Sequence, residues 1–529
     1  MSKAVTAAEA AAFISNGATV AATGSGLAGW AEDVARAIAK RFKETGEPKG
    51  LTLMHSSAIG DWKERGTTVL GIEGLVKRLI ASHIGGSPNM ARLVAEGKIE
   101  GYSLGQGVIL DLVRAQAKGQ KGVLTKVGLG TFMDPRLEGG AMNSATKESI
   151  VKVVEFEGEE YLWFKAIPID VAIIRGTTAD EKGNLSMEKE SIISEAVMLA
   201  QAAKNNGGIV IVQAEYLARE NSIHPKEVIV PGVLVDHVVI ASSQDTQWQT
   251  EGCYFNPGFT GAVTVPIGSI PEIPFDERII IARRAAMELR PNNLVNLGVG
   301  IPSNIATIAA EEGCANLITL TTEHGAIGGV PVPLPDFGHS YNPEAILRNY
   351  DLMAIYDGGG IDITVLGLAQ ADHCGNVNVS KFNGRVIGCG GFVNITRAAK
   401  KVVFAGTFTA GGLKTAVENG KLVIVKEGKN QKFVDQVEQV TFSGTYAAKA
   451  KQPILYITER AVFSLEDGAI ELTEVAPGVD IECDILAHMS FKPKISPSLK
   501  KMDAGIFRPV WGGLRQCIAD GVKSRSVGA

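Results

Sequence analysis

The chain lacks paired cysteines. Its six cysteines stand at positions 253, 314, 374, 389, 483 and 517. No two are spaced as a CxxC pair, so neither a zinc ribbon nor a disulfide framework is indicated, and a reducing cytoplasm is the compartment expected. The eight histidines show no HExxH-type spacing, and no metal site is predicted. No apolar run approaches the ~18 residues of a membrane span. Residues 1–8 lack the long apolar core of a signal peptide. Positive charge is not in excess: the net charge is −5, which argues against nucleic acid as the main partner because phosphate binding needs a basic footprint. The absence of a GxSxG elbow removes support for a serine hydrolase.

What the chain has is length and glycine. Its 529 residues are too many for one core, and two to four domains of ~100–200 residues are expected. The 61 glycines and 45% hydrophobic content suit a turn-rich α/β protein. Short apolar runs at 18–22, 208–212, 234–241, 294–297 and 401–405 read as buried strands, and stretches at 30–42, 191–204, 277–289 and 304–312 read as helices. This alternation predicts largely parallel sheets with helices packed outside. The chain also resembles itself. GATVAATGSG at 17–26 echoes NLVNLGVGIP at 293–302, and ADEKGNL at 179–185 echoes ADHCGNV at 371–377, in the same order. Two related open α/β domains follow, 1–264 and 277–529, joined by a linker at 265–276 that holds three prolines in nine residues. A cleft between the halves is the natural place for a site.

The most informative stretch is ITLTTEHGAIGGVP at 318–331. It reads as a buried strand that ends in Glu323 and runs at once into glycine-rich backbone. A carboxylate at the carboxyl end of a parallel strand is a candidate nucleophile or base, and glycines let substrate and main-chain N–H groups come close. His324 follows directly, but neighbours on an extended strand face opposite ways, so a bystander role is expected for it. GSGLAG at 24–29 fits G-x-G-x-x-G, yet the next strand ends in His55-Ser-Ser with no acid for a ribose hydroxyl. A tight strand–helix turn lining the cleft is the better reading than a dinucleotide site. Its counterpart, Gly298, Val299, Gly300, Ile301 and Pro302, is expected to expose N–H groups at the start of a helix, suited to a phosphate or an oxyanion. Glycine loops at 356–360, 388–392 and 408–412, near strand ends, suggest main-chain contact with a long, thin ligand.

Together these motifs, with RFKETGEPKG at 41–50, LTKVGLGTFMDP at 124–135, GNVNVSK at 375–381 and YITER at 456–460, resemble the family I coenzyme A-transferases of the single-chain propionate and acetate group. The resemblance spans nearly the whole chain. It implies an acyl-CoA:carboxylate CoA-transferase with a ping-pong mechanism, in which Glu323 takes the acyl group from a short-chain acyl-CoA, becomes a glutamyl-CoA thioester, and passes CoA to an incoming acid. It further implies oxyanion and CoA-binding roles for residues 298–302 and for Gly388, Gly390 and Gly391. Gly24, Ser25, Gly26 and Gln106 would line the substrate pocket. Acyl-CoA and small carboxylic acids are the implied partners. Coenzyme A is a substrate, no cofactor is tightly bound, and a homo-oligomer, often a tetramer, is the implied assembly.

Three departures from the family pattern fall where the acyl group is sized. Ser25 stands where Phe is usual, Gly105 where Pro is frequent, and VPLP at 332–335 replaces an Ala-Gly-Gly continuation. Losing the Phe predicts a larger acyl pocket and acids bigger than propionate. The alternatives are an acyl-CoA hydrolase on the same scaffold, in which water resolves the intermediate, and a non-catalytic effector-binding protein. Intact Glu323 and glycine loops weigh against the second.

Overall fold

A computed structural model describes residues 2–266 and 274–519. The first sheet has eight strands in the order Ala4–Val5, His237–Ile240, Ile209–Ala214, Val171–Arg175, Thr19–Ala22, Leu51–His55, Val76–Ala81 and Glu100–Ser103, and every neighbouring pair is parallel. The second sheet holds five parallel strands in the order Thr319–Thr321, Leu294–Leu297, Ile363–Leu366, Val402–Ala405 and Ile454–Ile457. Antiparallel strands Ala461–Glu466 and Ala469–Val475 extend it. Strands such as Val171–Arg175 and Leu51–His55 are buried at every residue, because helices cover both faces of a parallel sheet.

Both sheets reverse strand order at the same place. Thr19–Ala22 lies between strands that follow it on either side, and Leu294–Leu297 does the same in the second half. Such switch points open a crevice at the carboxyl ends of the strands. The repeated ADxxGN motif explains itself as a turn. Asp180 accepts from the N–H groups of Lys182 and Asn184 and from Asn184 Nδ2, and Asp372 accepts from Cys374, Asn376 and Asn376 Nδ2 in the same way. The glycine between them is left-handed in both copies, with φ of 86° at Gly183 and 77° at Gly375.

Differences from the expected element limits have local causes. The helix expected at 30–42 is Glu32–Thr45, stopped where Gly46 turns left-handed and donates to Phe42 O. The helix expected at 191–204 begins only at Ala196, because the preceding residues are engaged with the second half. Ile193 O accepts from Asn349 N, while the Glu195 carboxylate accepts from Ser56 Oγ and Asn349 Nδ2. The strand expected at 234–241 shortens to His237–Ile240 since Gly232–Leu234 forms a 3-10 turn. Of the expected linker, residues 267–273 lie outside the described residues. Asp276 caps the helix that follows, accepting from the N–H groups of Arg278 and Ile279. The glycines at 358–360 follow helix Asn349–Asp357 and precede strand Ile363–Leu366. They therefore sit at the amino-terminal edge of the sheet, away from the expected ligand side.

The GSGLAG turn is filled from within. Arg175, 2% exposed, donates from Nη1 to the carbonyls of Leu27 and Trp30 and forms a two-point pair with Glu190 through Nε and Nη2. Glu190 in turn accepts from Gly29 N. Glu190→Ala would strand the buried guanidinium, and a loss of about 3–5 kcal/mol of unfolding free energy is expected by denaturant titration. A loss under ~1 kcal/mol would remove the turn's dependence on this pair.

Candidate active site

Glu323 lies two residues beyond strand Thr319–Thr321, so the strand ends earlier than the sequence suggested. Register pairs Asn296 with Thr321, which brings Gly298 to the level of Glu323 on the adjacent strand exit. The carboxyl group presses against Gly391, where any Cβ would overlap Glu323 Oε2. Among the described residues nothing hydrogen-bonds to this carboxylate. Burial, with 20% of the side chain exposed, lifts its pKa to about 7. Below it, Tyr356 Oη meets Thr321 Oγ1 at 2.7 Å and accepts from Asn296 Nδ2 at 3.2 Å, while Thr364 Oγ1 donates to Asn296 Oδ1 at 3.0 Å. That buried network holds the strand ends that present Glu323. A desolvated, unpaired carboxylate fixed by its surroundings is suited to nucleophilic attack.

His324, expected as a bystander to Glu323, is engaged elsewhere. Its Nε2 meets Ser25 Oγ at 2.7 Å and Ser57 Oγ at 3.1 Å, and Ser57 Oγ donates to Ser25 Oγ at 2.9 Å. The imidazole thus joins the second half to the first-half turn at Ser25 and Ser57. Its nearest approach to Glu323 is 3.8 Å. Burial holds its pKa at about 3, so the ring is neutral and lends the carboxylate no charge. Ser57 carried no expectation from sequence. Its only signal was a strand exit, His55-Ser-Ser, with polar residues where an apolar run would continue.

The loops divide by how their N–H groups are used. Gly298 N donates to Val365 O, whereas Val299 and Gly300 are exposed and their N–H groups have no acceptor among the described residues. Ile301–Ser303 forms a 3-10 turn with Pro302 at its start, leading into helix Asn304–Glu311. In the other loop Gly388 N donates to Ser380 O, Cys389 N to Ser103 Oγ and Gly390 N to Ser82 O. All three donors are spent, and the last two stitch the halves together. The Gly391 N–H, beside Glu323, has no acceptor among the described residues. Gln106 sits at the start of helix Gln106–Ala117 with its N–H on Gly390 O. Its side chain is fully buried, and neither Oε1 nor Nε2 has a partner among the described residues. A buried, unsatisfied amide next to this loop in the fold is an opening for a ligand. Gly24 and Gly26 take φ of 143° and 59°. Gly26 N donates to Ala58 O, and a Cβ on Gly26 would meet Glu251 Oε1 at 2.9 Å, so these two glycines shape the wall around Ser25.

The coenzyme A transferase family model matches residues 4–241. The chain is 54% identical over 519 residues to caffeate CoA-transferase of Acetobacterium woodii, covering 97% of this chain and 99% of that protein. The chain belongs to the coenzyme A transferase family. It is also 43% identical over 471 residues to acetate CoA-transferase YdiF of Escherichia coli K12, covering 89% of this chain and 88% of that one. The crystal structure of the YdiF acyl-CoA transferase of Escherichia coli O157:H7 as a thioester complex with CoA superposes with a TM-score of 0.89 at 40% identity, covering 97% of each chain. This CoA-transferase is therefore an enzyme whose substrate is coenzyme A in acylated form. Among the described residues no helix is long and apolar enough to cross a membrane.

The position of the Glu323 pKa fixes a pH dependence. A Glu323 acting as nucleophile would have to be ionised, so kcat/KM for the acyl-CoA is then expected to rise about tenfold per pH unit below ~7 and level off above it. Initial rates from about pH 5.5 to about 8.5 would measure this. A flat profile down to about pH 5.5 would place the ionisation near the ordinary glutamate value instead.

Proposed function

We propose that this CoA-transferase works by a ping-pong mechanism through Glu323. The carboxylate oxygen attacks the thioester carbon, the C–S bond breaks, and an acyl-glutamyl anhydride forms with release of the CoA thiolate. The thiolate then attacks the glutamyl carbon, expelling the free acid and leaving a glutamyl-CoA thioester. An incoming carboxylate reverses both steps and departs as the new acyl-CoA. Each attack builds an oxyanion. The N–H groups of Gly391, Val299 and Gly300, unspent on the flanking loops, are assigned to it, and the orphaned Gln106 amide is assigned to the substrate. The observation that carries this reading is a desolvated Glu323 without a counter-charge, set between glycine loops.

The acceptor is read as an acid larger than propionate. The support is the caffeate-named relative together with Ser25 where the family's Phe is usual. Free thiols at Cys253, Cys314, Cys374, Cys389 and Cys483 suit a reducing cytoplasm, and a homo-oligomer is the proposed assembly. Incubation with acyl-CoA and borohydride, followed by peptide mass spectrometry, tests the covalent step. Modification of the peptide that holds Glu323 is expected, and modification elsewhere or none overturns the mechanism.

A further inference from the structure

Helix Gln106–Ala117 of the first half begins without a side-chain cap of its own, because the residue before it is Gly105. A helix start leaves its first N–H groups without intrahelical acceptors. Here the second half supplies two acceptors. Gln106 N donates to Gly390 O at 2.9 Å, and Gly107 N donates to Asn394 Oδ1 at 3.1 Å. Asn394 is fully buried in helix Phe392–Ala398, which starts directly after Gly391. It therefore caps a helix that belongs to the other half.

The asparagine amide is itself held. Its Nδ2 donates to both oxygens of Asp357, each at 3.0 Å. Burial lifts the pKa of Asp357 to about 6, so near neutrality the group is ionised and only accepts. That decides which way the amide faces, with the NH2 on the carboxylate and the oxygen on the helix start. The packing around it is tight. A Cβ on Gly105 would overlap Asn394 Oδ1, and one on Gly107 would overlap Asn394 Nδ2.

These contacts bracket the reaction centre. Gln106 carries the orphaned amide, and Gly391, three residues before Asn394, lies against Glu323. The Gly390 carbonyl alone would tie the helix start at one point, about which it could pivot. Asn394 gives the second point. We propose that Asn394 is a positioning residue: with Asp357 aiming its amide, it fixes where the Gln106 side chain stands relative to Gly391 and Glu323. The inference rests on the reading of the Gln106 amide as a substrate-binding group.

Asn394→Ala, Gln106→Ala and the double variant would be compared by steady-state kinetics and thermal melting of the full enzyme. Asn394→Ala is expected to lower kcat/KM for acyl-CoA about 10–100-fold, the scale of a misplaced substrate contact. The two losses should not multiply. In the Gln106→Ala background, Asn394→Ala should cost no more than about threefold further, because both changes act through one amide. Asn394→Asp sets two carboxylates face to face. Adding Asp357→Asn restores a donor opposite an acceptor, and should recover at least about tenfold over Asn394→Asp alone. Should Asn394→Ala not fold, Asp357→Asn takes its place in the cycle with Gln106→Ala. Losses that multiply, or an exchange that recovers nothing, would make Asn394 a structural cap only and overturn the proposal. So would a folded Asn394→Ala enzyme within about threefold of the parent. A Gln106→Ala enzyme with unchanged kcat/KM would instead sink the reading of Gln106, and the proposal with it, a failure separate from multiplied losses.

Discussion

Glu323→Ala is expected to lower CoA transfer between acyl-CoA and a free acid by at least about 10⁴-fold, with no modified peptide after borohydride. The covalent step has no substitute. His324, the nearest ionisable neighbour, is neutral and turned toward Ser25 and Ser57. Glu323→Gln separates chemistry from folding. Because the folded-state pKa is raised from 4.5 to about 7, the stability tied to the neutral carboxyl is complete below 4.5 and is lost as pH rises through about 7. The amide removes that loss. Above pH 7 the variant should melt no lower than the parent while being as inactive as Glu323→Ala. Transfer within tenfold of the parent rate would end the mechanism, and a collapsed melting temperature would show that the carboxylate also holds the fold.

Gly391→Ala is expected to cut kcat by about 10²-fold without weakening the fold. Gly391 has φ of −80° and ψ of −6°, a conformation alanine adopts freely. The substitution therefore carries no backbone strain and, at a helix start, is neutral or slightly stabilising by up to ~1 kcal/mol. What the new methyl meets is Glu323 Oε2, together with Met353 Cε at 3.1 Å. The nucleophile must move, and a shift of about 1 Å is enough to spoil attack geometry. Thermal melting and steady-state kinetics on the same sample would separate the two effects. A rate within about threefold of the parent would show that Glu323 is not held where the structure has it.

Much of this was legible in the chain. Parallel strands with apolar runs announced themselves, and the ADxxGN repeat predicted two halves of one architecture because a carboxylate-capped turn needs those residue types at those offsets. Glu323 stood out as a candidate because a lone acid in glycine-rich backbone has few structural uses. The partners of His324 were not, since Ser25, Ser57 and His324 are brought together only by the closing of one half on the other. The fate of the N–H groups of Cys389 and Gly390 was hidden for the same reason. Glycine spacing predicts an accessible main chain but not whether a distant carbonyl already occupies it.

The seam between the halves has a consequence for how such an enzyme can diversify. Ile84 N and Gly85 N donate to Ile387 O, Gly390 N donates to Ser82 O, and Gln106 N donates to Gly390 O. Every one of these links runs from peptide group to peptide group, so it is blind to which side chains flank it. The lining of the acyl cavity can then be rewritten, one residue at a time, while the frame that aligns nucleophile and amide donors stays put. Substrate range and catalytic alignment are, in this sense, inherited independently.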